Sequence, residues 1–487
     1  MALILDTLPQ QQDFYRQTTL RYIAYYVDYA KQNRYRYERL VLEIGNILGA
    51  LRTAYEHGVH AAYIAGVEAM TSYLGSSGKE KTAENLLNNA ISIARSTRNR
   101  GDEAKLLALL GDLSMRIGDY ATSEAQYQQG LALCSTQDPS LVDADLYRGL
   151  GTLYFYRGEL EAAHDLLQKA LDLTRHASNS RARASALVNM ATILHQRGAH
   201  EDIVSAYLIE CFEIFESIGD LANAALALSN QGALAYERGD WSAAEKHFAR
   251  SLVFARQVGD LEKTARQAMN LGVVAKEQRK LAQAGVYFGE AWQLARQTAN
   301  LELQSTVLTS LGELAHVDKE WPRAKHFYEQ AMAIAERIGH QENVAWLLGQ
   351  LGELAYQEER YLDAEALLEQ GINVARQVER IWTLCELLLH WSTLQLALDN
   401  LDLAAASLNE VRQLCGEKPT EIYAHTLWGL AKLAIRRGDN ALAQRHAAAS
   451  LAIFSDLNAG AAADVRAWIT DNSSDASVPG TGHKISR

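Results

Sequence analysis

The chain has 487 residues, with 47 basic and 59 acidic side chains and a formal net charge of −12 at pH 7. It lacks the basic excess that a dedicated nucleic-acid binder uses to contact phosphates. The N-terminus has no basic region before its short apolar run, and no segment approaches eighteen uninterrupted apolar residues. The sequence therefore predicts a cytoplasmic protein with no membrane segment.

Residues 1–62 are predicted to form a helical N-terminal segment that leads into the rest of the chain. The stretch from Arg16 to Arg39 interleaves arginines with tyrosines, a combination that can stack on bases and contact phosphates. The alternative is that the tyrosines pack against the next helices while the arginines stay solvated. The acidic balance of the whole chain favours this second interpretation.

A period of about 40 residues organises the chain from residue 103 to residue 458, after a degenerate first unit at 63–102. Small residues recur at intervals of 39 to 41 residues: Gly111, Gly151, Ala191, Gly232, Gly272, Gly312, Gly352, Ser392 and Ala431. Twelve residues after many of these positions stands an alanine: Ala163, Ala244, Ala284, Ala324 and Ala364. Sixteen residues after some of them stands an aromatic residue: Tyr127, Phe248, Phe288 and Tyr328. A fixed period of this length predicts a solenoid.

Glycine inside these helical patterns needs a packing explanation, because it costs a helix about 0.8 to 1 kcal/mol relative to alanine. We expect a neighbouring helix to approach closely at each small residue, with the aromatic side chain filling the space beside it. Other glycines end helices, because they can adopt the left-handed conformation before an acidic cap. They stand in mid-repeat at Gly118, Gly158 and Gly239, and between repeats at Gly101, Gly219, Gly259 and Gly339. Each repeat is therefore predicted to be a helical hairpin.

These spacings resemble the tetratricopeptide repeat, whose consensus has small residues at its eighth, twentieth and twenty-seventh positions and an aromatic at its twenty-fourth. The period here is about 40 residues rather than about 34, and Gly-Asp replaces the consensus proline. Both departures resemble the long-helix variant found in the sensor regions of MalT-like signalling ATPases, in kinesin light chains and in bacterial peptide-pheromone receptors. The resemblance implies an all-α, right-handed solenoid of stacked helical hairpins. It implies about nine repeats over 103–458, a capping helix at 459–470 and a disordered tail at 471–487.

A second, shorter resemblance lies upstream of the repeats. Glu43, Asn46, Ala50 and Leu51 stand in the register of the stretch that follows the winged-helix part of MalT-like signalling ATPases. It implies that the chain is the ligand-sensing arm of an ATP-dependent regulator whose ATPase is absent or on another chain.

No motif for catalysis, cofactor binding or metal binding stands out. The fourteen histidines show no HExxH spacing, and the four cysteines, Cys134, Cys211, Cys385 and Cys415, show no CxxC spacing. We expect free thiols buried in a reducing compartment. The segment GSSGKEK at 75–81 lacks the phosphate-loop spacing, so it is better explained as a turn in the degenerate repeat. The sequence predicts a protein that is not an enzyme and has no cofactor.

Polar side chains recur at three further positions of the repeat, which by the resemblance face the concave groove. Two residues before the small position stand Asn189, Asn230, Asn270, Ser310, Gln350 and His390. Four residues after it stand Phe155, His195, Tyr236, Lys276, His316 and Tyr356, and one residue after it stand Glu313 and Glu353. The resemblance implies that the amides hydrogen-bond an extended ligand backbone. The alternative is that they bind the neighbouring repeat or water.

This mixed lining predicts a non-catalytic scaffold or sensor that binds a protein or peptide in its concave groove. A sensing arm that works with a signalling ATPase is the main alternative. A nucleic-acid-binding regulator that uses the N-terminal helix is weaker, because the net charge opposes it.

Overall fold

The computed structural model describes residues 2–134, 140–177, 180–416, 418–457 and 460–474. Within these ranges the chain forms 23 α-helices and no β-strand, which confirms the predicted all-α solenoid. The helices are α1 (Ala2–Gln32), α2 (Tyr37–Glu56), α3 (His60–Ser76), α4 (Glu80–Ser96), α5 (Arg100–Arg116), α6 (Tyr120–Leu133), α7 (Leu141–Tyr156), α8 (Leu160–Leu173), α9 (Arg181–Gln196), α10 (Glu201–Ser217), α11 (Leu221–Glu237), α12 (Trp241–Val258), α13 (Leu261–Glu277), α14 (Leu281–Gln297), α15 (Leu301–Val317), α16 (Trp321–Arg337), α17 (Gln341–Gln357), α18 (Tyr361–Gln377), α19 (Ile381–Ala397), α20 (Leu401–Cys415), α21 (Glu421–Arg436), α22 (Asn440–Asp456) and α23 (Ala461–Ser474). Most of the predicted tail, from residue 475 onward, lies outside the described residues.

Glycines in the left-handed conformation end many of these helices. Gly118 has φ of +82° after α5, and Asp119 then caps α6 by accepting a hydrogen bond from the Thr122 amide at 3.1 Å. Gly158, Gly219, Gly239, Gly259 and Gly339 have φ between +70° and +78°. Glycine adopts this conformation without steric penalty, so the predicted boundaries at these positions are correct.

The predicted boundary at Gly101 is wrong. Gly101 lies inside α5, and the left-handed residue is Arg98, with φ of 55°. Asn99 then caps the helix, because its side-chain oxygen accepts from the Asp102 amide at 3.1 Å. An asparagine is among the best N-caps, so the turn forms three residues earlier without a glycine.

Within each hairpin the small residues leave space that a large side chain occupies. A Cβ atom on Gly111 would lie 2.5 Å from Tyr127 Cε1, and one on Gly272 would lie 2.5 Å from Phe288 Cε1. A Cβ atom on Gly312 would likewise collide with the Tyr328 ring. Beside Gly151 and Gly352 the space is filled by a leucine instead of an aromatic residue. The alanines twelve residues after the small position are fully buried: Ala163, Ala244, Ala284, Ala324 and Ala364. Gly232 is buried as well.

The helices divide into two compact units within the described ranges. One comprises Met1–Gly232 with Ala249–Asp260, and the other comprises Ala233–Phe248 with Leu261–Arg487. In both units, the first helix of a hairpin packs against the second helix of the same hairpin, as α7 does with α8 and α17 with α18. Successive first helices also contact each other, as α5 does with α7 and α19 with α21. The first helices therefore form an inner layer in each unit.

Three tyrosines of α1 pack against the core of the first unit, whereas Tyr15 and Tyr25 are exposed. Tyr22, Tyr26 and Tyr29 pack against a buried cluster that includes residues of α2 and α3. The Tyr22 hydroxyl donates to the Asn46 carbonyl oxygen at 3.0 Å. These contacts support the packing interpretation of the tyrosine-rich segment.

Tyr127 and Tyr328 hold the same repeat position, but loss of the hydroxyl group should change the stability of the protein differently at the two sites. The Tyr127 hydroxyl donates to Asp112 Oδ1 at 2.6 Å, whereas the buried Tyr328 hydroxyl has no hydrogen-bond partner among the described residues. Tyr127→Phe should lower the free energy of unfolding by about 1.5 kcal/mol or more, because its partner is charged. Tyr328→Phe should leave it equal or higher, because it removes an unpaired buried polar atom. Urea denaturation of both variants tests this, and equal losses would contradict it.

Candidate functional site

The predicted groove residues all lie on first helices, and they divide between the two units. Asn189 and His195 lie on α9 and Asn230 lies on α11, in the first unit. The first unit also holds Phe155 on α7. The second unit holds the others: Tyr236 on α11, Asn270 and Lys276 on α13, Ser310, Glu313 and His316 on α15, Gln350, Glu353 and Tyr356 on α17, and His390 on α19.

In the first unit, a cavity of about 510 Å³ opens on the inner layer. Its polar lining includes Arg148, Arg181 and Asn189, and its apolar lining includes Tyr156 and Phe215. The cavity can accept a ligand that combines apolar groups with hydrogen-bond acceptors.

A buried arginine forms one wall of this cavity. Arg148 on α7 is only 8% exposed, and its Nη2 donates to Asp112 Oδ1 and Oδ2 on α5 at 2.9 and 2.8 Å. Burial lowers the pKa of Arg148, but the charges of Asp112, Tyr127 and Asp145, with the hydrogen bond to Asp112, together outweigh burial and raise the pKa. Asp112 also accepts from the Tyr127 hydroxyl. This cluster joins two successive first helices.

The asparagine predicted for this groove also bonds within the fold. Asn189 Nδ2 donates to Thr152 Oγ1 on the preceding first helix at 2.6 Å. At this position the structure therefore supports the alternative that the amide binds the neighbouring repeat. His195 is exposed near the end of α9, and Asn230 is half-buried.

In the second unit, Lys276 is the centre of a polar cluster. Its Nζ donates to Glu313 on the next first helix and lies 3.8 Å from Glu277 Oε1. Burial lowers the pKa of Lys276, but these carboxylates outweigh burial and raise it. Burial also raises the pKa of Tyr236, and the charge of Glu277 raises it further. Lysine and its carboxylates thus link α13 to α15.

A second link joins α17 to α19 through a histidine and a glutamate. His390 Nδ1 lies 3.1 Å from Glu353 Oε2, and Gln357 Nε2 donates to Glu353 Oε1 at 2.8 Å. Burial would raise the pKa of Glu353, but these two partners lower it to about 2. Burial would lower the pKa of His390, but the hydrogen bond and charge of Glu353 raise it above 6.5. The pair is therefore ionised at slightly acidic pH.

Beside this pair, a cavity of about 530 Å³ is formed by α17, α19 and α21. Carboxylates, cations and aromatic rings line it together: Glu353, Glu386, Glu421, His390, Lys432, Tyr356, Trp382 and Trp428. Lys432 Nζ lies 3.8 Å from the centre of the Trp428 ring, and Trp382 is 56% exposed. The exposed indole offers apolar contact area next to charges of both signs.

The two neighbouring histidines should titrate in opposite directions from free imidazole. Burial lowers the pKa of His316 and outweighs the opposing charge of Glu353, whereas the pKa of His390 is raised. A raised histidine pKa contributes stability that is lost as pH rises through that pKa. We expect Glu353→Gln to lower the pKa of His390 by more than that of His316. Side-chain NMR titration checks this, and an unchanged pKa of His390 would contradict it.

Several residues that line the two cavities were not predicted from the sequence. Arg148, Trp382, Glu386 and Lys432 lie on inner-layer helices. Lys432 directly follows the small residue Ala431, so it stands at the same repeat position as Glu313 and Glu353 and could have been predicted. The sequence did contain an indication that Arg148 is buried, since it is a charged residue in an apolar stretch, three positions before Gly151. A buried arginine needs a paired carboxylate, and Asp112 is the residue after the preceding repeat glycine.

Two kinds of site are absent from the part of the chain that the structure describes. There, no group of three or more histidine, cysteine or acidic side chains is arranged to hold a metal ion. No described helix combines the length and apolar character needed to cross a bilayer.

Comparison with known families identifies the repeat. Residues 102–176 and 303–377 match the family model described as Tetratricopeptide repeat. These two stretches therefore carry tetratricopeptide repeats, as the spacing of their small and aromatic residues indicates. None of the curated proteins matches the chain.

Several solved structures resemble the chain at low sequence identity. The apo form of the quorum sensor NprR from B. thuringiensis is 14% identical and superposes with a TM-score of 0.49, covering 72% of this chain and 98% of that one. A Rap protein complexed with Competence and Sporulation Factor is 12% identical with a TM-score of 0.42, covering 85% and 98%. BtubC from P. vanneervenii is 20% identical with a TM-score of 0.39, covering 45% and 92%.

Proposed function

We propose that this chain is a non-catalytic scaffold or sensor module that binds a protein or peptide along the inner layer of its first helices. The observation that carries the proposal is a series of polar side chains on successive inner helices of the second unit. Lys276 lies on α13, Glu313 on α15, Glu353 on α17, His390 on α19 and Lys432 on α21. An extended polypeptide repeats its polar groups at regular intervals, so it can meet such a series helix by helix.

The chemistry of the cavity between α17, α19 and α21, the larger of the two, supports a ligand of mixed polarity. Glu386 and Glu421 can accept from a cationic or amide group, while Trp382 and Tyr356 provide apolar surface. Aromatic residues in such positions commonly dominate the affinity of protein interfaces. A polyanion fits less well, because three carboxylates line the same cavity.

The amides of the second unit are the candidates for contacts with a ligand backbone. Asn270 and Gln350 are half-buried on inner helices, and each carries both a donor and an acceptor. Asn189 differs, because its amide already donates to Thr152. Asn270→Ala should therefore weaken ligand binding with little loss of stability, whereas Asn189→Ala should lower the melting temperature.

A sensing arm for a signalling ATPase is a narrower form of the same proposal. It depends on the stretch from Glu43 to Leu51, which lies in α2. Ala50 and Leu51 are fully buried, and Asn46 Nδ2 donates to Glu43 Oε2 at 2.7 Å. Packing alone explains these residues, so binding through the inner layer is the better supported form.

Two adjacent residues on α19 provide a matched test of the proposal. Trp382 lines the cavity, whereas Ile381 does not, although their exposed fractions are 56% and 54%. Peptides selected on the wild-type protein from a displayed random library should bind Trp382→Ala at least about tenfold more weakly, since that is about 1.4 kcal/mol. Ile381→Ala should bind them as wild type does. Calorimetry that finds equal affinities for both variants, or no selectable peptide, would contradict the proposal.

A further inference from the structure

Two cysteines that are far apart in sequence meet between α19 and α20. Cys385 Sγ lies 2.9 Å from Cys415 Sγ, and both thiols are free. Cys385 is completely buried, and Cys415 is half-buried at the last residue of α20. A disulfide needs sulfur atoms about 2.05 Å apart, so the two thiols are within a small movement of bond formation.

The repeat pattern makes this contact unusual within the chain. Cys385 stands seven residues before Ser392 and Cys415 stands twenty-three residues after it. In three other repeats the same two positions are occupied by buried alanines: Ala225 with Ala255, Ala265 with Ala295, and Ala345 with Ala375. The chain has only four cysteines, and two of them fill both positions of one such contact.

We propose that Cys385 and Cys415 form a reversible disulfide that cross-links α19 to α20 when the protein meets a low-molecular-weight disulfide. The proposal is independent of the proposed function. In the first step the thiolate of the more accessible Cys415 attacks one sulfur of the oxidant, forms a mixed disulfide and releases one thiolate.

In the second step the Cys385 thiol gives up its proton and its sulfur attacks Cys415 Sγ. The mixed disulfide breaks, and the second thiolate of the oxidant leaves. Two protein thiols are thus oxidised to one disulfide, and one small disulfide is reduced to two small thiols. Burial raises the pKa of the Cys385 thiol, and the neighbouring Cys415 raises it further, which suits Cys385 to the slower second attack.

The bond would restrain the wall of the larger cavity. Helix α19 carries Trp382, Glu386 and His390 on the cavity side, and Cys385 connects it to the outer helix α20. A cross-link of this kind stabilises mainly by restricting the unfolded chain. Oxidation should therefore raise the melting temperature and slow amide exchange in α19 and α20.

The experiment compares the full chain with the variant Cys385→Ala/Cys415→Ala, which recreates the alanine pair of the other repeats and is therefore expected to fold. Both proteins are incubated natively with oxidised glutathione, and remaining thiols are then blocked for mass spectrometry. Wild type should lose two of its four thiols, yield a linked peptide containing Cys385 and Cys415, and melt at higher temperature. The double variant should keep both remaining thiols and its melting temperature. Retention of four thiols by wild type, a persistent glutathione adduct on Cys415, or a linkage to Cys134 or Cys211 would overturn the proposal.

Discussion

Gly272→Leu should lower the free energy of unfolding by about 3 kcal/mol, the upper part of the range for overpacked cores. Even a Cβ atom at this position would lie 2.5 Å from the Phe288 ring. Phe288 is fully buried, so the ring has no free space into which it can move. Helices α13 and α14 would have to separate. Chemical denaturation measures the loss.

A second glycine in the same hairpin is the matched control. Gly289 lies inside α14, and a Cβ there would meet no atom within 4 Å. Gly289→Ala should raise stability by about 0.8 to 1 kcal/mol, because alanine favours the helix, whereas Gly272→Ala should lower it. The same sign of change for both alanine variants would contradict the packing explanation of the repeat glycines.

Asp112→Ala should destabilise the protein by roughly 3 kcal/mol, the lower end of the range for removing one partner of a buried ion pair. It removes the carboxylate that accepts two hydrogen bonds from Arg148 and leaves the buried guanidinium only Asp145, whose Oδ1 lies 3.8 Å from Arg148 Nε. It also removes the acceptor of the Tyr127 hydroxyl. We take the lower end because the Asp112 side chain is 29% exposed and water screens part of the charge.

Removing both charges should cost much less than removing one. Arg148→Met in the Asp112→Ala background deletes the poorly compensated guanidinium and keeps apolar volume between α5 and α7, so the part of the loss that comes from the buried charge should be recovered. Urea unfolding of both single variants and the double variant completes the cycle. Additive losses would show that the two side chains do not stabilise each other.

The repeat could be predicted from the sequence because the residues that pack closely within a hairpin are also close together along the chain. A glycine at position 272 and an aromatic residue at position 288 belong to the same hairpin, so their spacing is fixed along the chain. The same holds for Gly118, whose left-handed turn depends on its own backbone. The turn at Arg98 could not be predicted in this way, because the N-cap at Asn99 allows the left-handed turn to form without a glycine.

The inner surface was harder to predict because its contacts join different repeats. The amide of Asn189 has the same repeat position as Asn270, but it has a partner only because the preceding repeat places Thr152 opposite it. The cysteine pair is similar. Cys385 and Cys415 differ by 30 residues with no metal-binding spacing, and their meeting appears only when both are placed on the repeat.

Hydroxyl-radical footprinting of the second unit tests most directly whether the inner layer is the binding surface. The protein is oxidised with and without a saturating peptide selected on it, and the modification of inner and outer side chains is compared. Tyr356 and Trp382, which line the cavity, should be protected by the peptide. The exposed residues Leu362 and Val286, which lie on the second helices α18 and α14, should be modified equally in both samples. Protection of Leu362 or Val286 with no change at Tyr356 and Trp382 would contradict binding along the first helices.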